Sequence, residues 1–503
     1  MSIREILNGV AGAAAQTTKE IYLVGGFVRD LYLGIPGGEM DFALCGDALS
    51  FARLVAGLLG GTWIPLDRIN SVARVVLKRE GKKWEADFSS FKGSSIEEDL
   101  GNRDFTVNAM AVKLNDYLGL LDRTGAKDGT ELDKNTWREL LIDPHGGTAD
   151  IEGKLIRAVN NYVFEADPVR ILRGVRLAAK LNFCICPETL SLMEQSRWLL
   201  PEVAGERVKE EIFHLLALGE SYQWLALMDA VGVLAEIFPF IEKMKVTEQN
   251  HYHADNVWVH SLKTYRLLEE LIADLRLNGV LETSRGEELR EKLCGHLHSH
   301  ILPGCRRYQI LKLAAVFHDA GKVDTGRLRE DGRITFPRHY EAGLKYAAEV
   351  AGRLKMSRAE ENYLKKMVLN HMYPLYLFIN QPVSPAAVHR FFTKLGKDAT
   401  DVLLLSLADV TATYLTSQKD RDLARYRTFI GDLLQKYHFE PDRYVSPPVL
   451  VKGGDIIEKF GVPPSKKLGE ILRKITEAQV RGEIGTREEA LDLARRLVNE
   501  PSI

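Results

Sequence analysis

Chemistry enters this chain early. Between Leu23 and Leu44 the sequence LVGGFVRDLYLGIPGGEMDFAL sets a double glycine, Gly25-Gly26, ahead of a helix-forming stretch and then two carboxylates, Glu39 and Asp41, two residues apart. The apolar run Ile21 to Val24 reads as a buried strand, and the glycines let the backbone turn close to a ligand before Val28 starts a helix. A helix start presents N–H groups that favour phosphate, and Arg29 in the first turn adds a planar, permanently charged fork. After the turn Pro36-Gly37-Gly38, residues Glu39 to Leu44 predict a second strand with Glu39 and Asp41 on one face. Two carboxylates so placed can hold Mg²⁺, whose shell is completed by water and substrate phosphates. Taken singly, the glycines are an ordinary strand-to-helix turn and the acids an ordinary solvated strand face; their order and spacing together suit nucleotidyl transfer.

Three further stretches extend the pattern. Lys83 to Phe88 alternates like a strand and puts Glu85 and Asp87 on one face. The segment EEDLGNRDFTVNAMAV, Glu97 to Val112, carries Arg103 and Asp104. In FEADPVRILRGVRLAAKLNF, Phe164 to Phe183, Arg170, Arg173 and Arg176 recur every third residue along one flank of a helix. Ile171, Leu172, Val175, Leu177 and Ala178 supply its apolar side. The plain reading of that flank is a solvated basic face.

The whole set resembles the head and neck of the class II tRNA nucleotidyltransferase and bacterial poly(A) polymerase family, with its GGxVRD motif, acidic pair, RRDFTINAMA element and EDxxRxxR motif. The resemblance implies an α+β protein: a small α/β, polymerase-β-like nucleotidyltransferase head followed by an all-α neck and further helical regions. It implies that Glu39, Asp41 and Asp87 are catalytic, with Glu39 and Asp41 holding Mg²⁺. Gly25, Gly26, Arg29, Arg103, Asp104, Asp167, Arg170, Arg173 and Arg176 would bind the nucleotide, Asp167 and Arg170 by hydrogen bonds to the base. The chain departs from the family pattern at three positions: Glu39 stands for Asp, Asn102 for Arg and Ala166 for Glu. The extra methylene of Glu39 moves its carboxylate by about 1.5 Å. AGERVKEEIFHLL, Ala204 to Leu216, is similar to the family's ERxxxE element and is expected to form a buried brace through Glu206, Arg207 and Glu210.

A second constellation occupies the middle of the chain. His260 follows Asn256 in a helical stretch, Leu311 to Phe317 is an apolar helix ending in His318-Asp319, and His339, His371 and Asp409 follow at intervals. This order resembles the HD family of metal-dependent phosphohydrolases, in which the adjacent His and Asp are ligands and outlying His and a late Asp complete the shell. The resemblance implies a site for a divalent transition metal such as Ni²⁺ or Mn²⁺ and hydrolytic chemistry near neutral pH. Cys294, His296, His298, His300 and Cys305 have no zinc-knuckle spacing and read as a polar loop inserted between two helices.

Composition agrees with a globular enzyme of several domains. The chain has 503 residues, 45% hydrophobic and 27% charged, with a formal net charge of −2. A near-neutral total does not exclude RNA, because phosphates meet a local face. Five cysteines with no CxxC fit a reducing cytoplasm, and the N-terminal stretch lacks the apolar core of a signal peptide or membrane span. The pattern divides into a head over 1–145, a helical neck over 146–245, an HD region over 246–420 and a helical tail over 421–503. Lys452, Lys459, Lys466, Lys467, Arg473 and Lys474 of the tail are candidates for contact with the tRNA acceptor arm. The expected activity is template-independent addition of C and A to the tRNA 3′ end from CTP and ATP, with release of pyrophosphate. CC-only, A-only or poly(A) addition shares the same motifs. From another class, the chain could be an HD phosphohydrolase whose head only binds RNA.

Overall fold

The computed structural model describes residues 2–17, 19–36, 38–79, 81–127, 129–249, 255–275, 285–416 and 420–499. Gly37 of the expected turn lies outside them. Two compact units divide the chain, one of residues 1–203 and 231–233, the other of 204–230 and 234–503.

The first unit is built on six strands: β1 (Ile21–Val24), β2 (Glu39–Leu44), β3 (Thr62–Asp67), β4 (Val72–Arg79), β5 (Lys82–Ser90) and β6 (Ala111–Lys113). They lie in the order β3-β4-β5-β2-β1-β6. β2 and β5 run parallel and every other pair is antiparallel. The crossover that a parallel pair requires runs through the helix Ala48–Leu59 and the hairpin of β3 and β4. That helix starts on Asp47, whose side chain accepts from Leu49 N and Ser50 N. It packs Phe51 edge-on to Phe88, which stacks on Phe42 at 4.8 Å. Phe42 and Phe88 sit opposite one another on β2 and β5. Burying that face leaves Asp41 and Asp87, one residue earlier on each strand, on the other face.

In the second unit, long helices surround a buried centre. Val257–Ala273, Arg307–Phe317, His339–Arg353, Arg358–Asn370 and Ala399–Thr416 are its main elements. Every residue of Arg307–Phe317 is buried, the apolar ones together with Arg307, Gln309 and Lys312. The tail forms its own small core, in which Ile456, Ile471, Ile475, Ala490 and Ala494 meet. Among the described residues no helix is long and apolar enough to cross a membrane.

Candidate functional site

A cavity of about 310 Å³ lies against β2 and β5 in the first unit. Its lining includes Gly25, Gly26, Asp41, Asp87, Lys92, Arg103, Asp104, Asp167, Arg170 and Arg173. Thus ten residues from five separate stretches of sequence converge on one space. The register puts Asp41 directly opposite Asp87, and Glu39 opposite Glu85. Glu39 is exposed.

The helix begins at Gly25 itself, not at Val28, and spans Gly25–Tyr32. Gly25 has φ +68°, and a Cβ there would fall 2.9 Å from Arg103 Nη1 and 3.4 Å from Asp41 Oδ2. The positive φ favours glycine, and a Cβ there would press on the end of the Arg103 side chain. Arg29 lies away from the cavity. Its guanidinium is buried, donating to Asp30 Oδ1 from Nε at 2.8 Å and pairing with Asn108, so it braces the helix and does not line the cavity. Arg176 is half-buried and likewise absent from the lining.

Charge in the cavity is unevenly balanced. Burial pushes the Asp41 carboxyl up to about 6 against the opposing pull of Arg103, and Asp87 reinforces the rise. Arg103 is held by Asp99 at 3.0 Å. Asp104 is buried, which alone would raise its pKa, but Arg173 at 2.8 Å and the Asn108 amide hold it below the usual carboxylate range. Arg170 Nη2 donates to the Asn102 carbonyl at 3.0 Å, which fixes the guanidinium at the rim. Asp87 is closed on both oxygens: Arg74 Nε donates to Oδ1 at 2.7 Å and Nη2 to Oδ2 at 2.8 Å. Arg74, Lys92, Asn108 and Asp99 were not singled out by sequence reasoning. Arg74 carries no motif, and strand register alone sets it against the acids.

The ERxxxE element forms the helix Gly205–Leu216, but Glu206, Arg207 and Glu210 are exposed, so they are no buried brace. Val208, Ile212 and Phe213 take the inner face instead, as a helical period demands.

The second unit gathers His260, His318, Asp319, His339, His371 and Asp409 into one buried cluster. Asn256 caps the helix that carries His260, accepting from Val259 N at 2.8 Å. His260 Nε2 lies 2.9 Å from Asp409 Oδ1. His318, His339 and His371 each direct Nδ1 to a backbone carbonyl three residues back, at 2.9, 2.9 and 2.7 Å. A carbonyl only accepts, so Nδ1 carries the proton and Nε2 is left with its lone pair facing inward. Their Nε2 atoms reach Asp319 at 3.3, 3.3 and 3.7 Å. His318 Nε2 has no hydrogen-bond partner. Inward-facing imidazole lone pairs beside two carboxylates, with one of those nitrogens left without a partner, fit a cation. Two ligand groups result, His260, His318, Asp319, Asp409 and Asp319, His339, His371, sharing Asp319. Without a cation, burial opposes charge on His318 but Asp319 and Asp409 outweigh it and push the imidazole up to about 10. Lys322 holds Asp319 at 2.6 Å. Asp319, Lys322, Phe336, His339, Tyr376 and Asp409 line a cavity of about 230 Å³.

The expected polar loop is ordered differently. Cys294, His296 and His298 end the helix Gly286–His298, while His300 and Cys305 sit on a short hairpin. His296 Nε2 pairs with buried Asp401 at 3.0 Å, and among the described residues these groups form no ligand cluster.

Known proteins share this architecture. The poly A polymerase head domain family matches residues 21–157, a "Probable RNA and SrmB- binding site of polymerase A" matches 182–245, and the tRNA nucleotidyltransferase domain 2 family matches 446–494. A CC-adding tRNA nucleotidyltransferase of Geobacter sulfurreducens is 30% identical over 482 residues, covering 95% of this chain and 93% of the relative. An A-adding tRNA nucleotidyltransferase of Deinococcus radiodurans is 27% identical over 95% of both chains. The structure of the Thermotoga maritima CCA-adding enzyme complexed with tRNA shares the fold, with a TM-score of 0.61 and 20% identity over 98% of this chain and 94% of that one. With the glycine turn, Asp41 and Asp87, and the arginine helix joined at one cavity, and a relative this similar along nearly its whole length, the chain belongs to the tRNA nucleotidyltransferase family.

Proposed function

We propose that the chain adds C, A or both to the 3′ end of tRNA from CTP and ATP without a template. The observation that carries this reading is the single cavity uniting Gly25, Gly26, Asp41, Asp87, Arg103, Asp167 and Arg170. Glu39 and Asp41 would hold Mg²⁺, which would supply charge neutralisation at the phosphates. Backbone at Gly25-Gly26, with Arg103 and Lys92, positions the triphosphate, and Asp167 and Arg170 present an acceptor and paired donors to the edge of the base. The RNA 3′ oxygen bonds to the α-phosphorus, the bond from that phosphorus to the β-phosphate bridging oxygen breaks, and pyrophosphate leaves. Asp87 assists loss of the hydroxyl proton. Incubation with tRNA lacking the whole terminal triplet, or ending after CC, with one nucleoside triphosphate at a time, tests the reading by product length. Long homopolymers of A on unrelated RNA would replace it with poly(A) synthesis.

The six-residue cluster of the second unit favours a second activity, hydrolysis of a phosphodiester such as a 2′,3′-cyclic phosphate with Ni²⁺ or Mn²⁺. Water oxygen bonds to phosphorus, one P–O ester bond breaks, and the ribose oxygen leaves with a proton. His318, His339 and His371 serve as ligands through Nε2, oriented by their carbonyl bonds. Purified protein that retains no metal and cleaves no such ester would refute this activity and leave nucleotide addition standing.

A further inference from the structure

Arg74 lies outside the cavity lining but holds Asp87, one of the acids that face it. On β4 it faces Asp87 on β5, and Asp87 faces Asp41 on β2, so three strands present Arg74, Asp87 and Asp41 as one row. The guanidinium closes both oxygens of Asp87, at 2.7 and 2.8 Å, and also pairs with Glu85. Glu39 adds to the negative field around it. Neither partner is sealed from solvent, with side-chain exposures of 27% for Arg74 and 22% for Asp87. A bidentate fork satisfies the very lone pairs that a metal or a reacting hydroxyl would need.

We infer that Arg74 is a positioning residue that acts as a displaceable internal cation: it holds Asp87 in place until a divalent ion competes for the same oxygens. The inference rests on the reading of Glu39, Asp41 and Asp87 as the catalytic acids, and adds Asp87, opposite Asp41 in the sheet, to the groups that the ion contacts. Its consequence is a raised threshold for metal in the nucleotide-free enzyme. A cation arriving with its triphosphate brings further ligands and so displaces the fork more readily than a bare ion does.

The test is Mn²⁺ binding, followed by electron paramagnetic resonance on nucleotide-free protein in an Asp319→Ala background, which silences the cluster of the second unit. Arg74→Gln is expected to tighten Mn²⁺ binding by about tenfold. Arg74→Lys keeps the charge but cannot close two oxygens at once, and is expected to tighten it by about threefold. Unchanged or weaker binding in Arg74→Gln overturns the inference, as does tightening in Arg74→Gln with none in Arg74→Lys, which would reduce Arg74 to a point charge. If Arg74→Gln does not fold, Arg74→Lys decides by the same sign. Asp41→Ala in the same background separates the two levels: retained Mn²⁺ there refutes the metal-site assignment itself, whereas loss there with no effect of Arg74 refutes only the latch.

Discussion

Asp41 offers the sharpest quantitative prediction, because its environment disfavours the very charge its role requires. Burial raises its pKa to about 6, opposed by Arg103. A metal must therefore displace a proton below that pH. At pH 5 a carboxyl titrating near 6 is about one-tenth ionised, so metal affinity in the first unit should be about tenfold weaker at pH 5 than at pH 8. An ordinary aspartate, titrating near about 3.9, would remain more than about nine-tenths ionised at pH 5 and show almost no change. The same shift acts on stability with a definite sign. Since the folded pKa lies above the unfolded one, the contribution of Asp41 to the metal-free fold is complete below about pH 4 and is lost as pH rises through about 6. About two units correspond to about 3 kcal/mol at most, and the open cavity screens this to on the order of 1–2 kcal/mol. Mn²⁺ titrations from pH 5 to 8, again with Asp319→Ala, measure the first effect. A flat profile would show that Asp41 is not the titrating ligand, and Asp41→Asn should abolish both the step and the binding.

Three other outcomes follow from the geometry. Arg170→Ala should disturb discrimination among the four triphosphates by about 1–3 kcal/mol in relative kcat/KM, whereas a uniform fall for all four would make Arg170 a phosphate binder. Asp319→Ala should remove bound metal and phosphodiester cleavage from the second unit and leave CTP and ATP addition largely unchanged; joint loss of both activities in a folded protein would contradict independent sites. Gly25→Ala should lower kcat/KM at least about tenfold and destabilise the first unit by about 1 kcal/mol, because its φ of +68° strains any other residue and a Cβ 2.9 Å from Arg103 Nη1 displaces that guanidinium. Wild-type turnover by that variant would show that Arg103 can move aside freely.

Local patterns carried the sequence reading a long way. Alternation placed Glu39, Asp41 and Asp87 on strands, and a strand's period of two keeps such residues on one face wherever the strand lies in the sheet. The apolar run before His318-Asp319 gave a buried helix end, and the resemblance of the spaced histidines to a known ligand order found the six residues that meet there. What only tertiary structure decided is which neighbour each charge acquires. Arg29 belongs to the quoted glycine motif, yet Asp30 and Asn108 draw it into the interior, because a buried guanidinium must find acceptors and these are the ones the fold supplies. Arg74 carries no motif, yet strand register sets it against Asp87. Sequence periodicity determines the face a side chain takes; the pairing of strands far apart in the chain determines the charge it meets there.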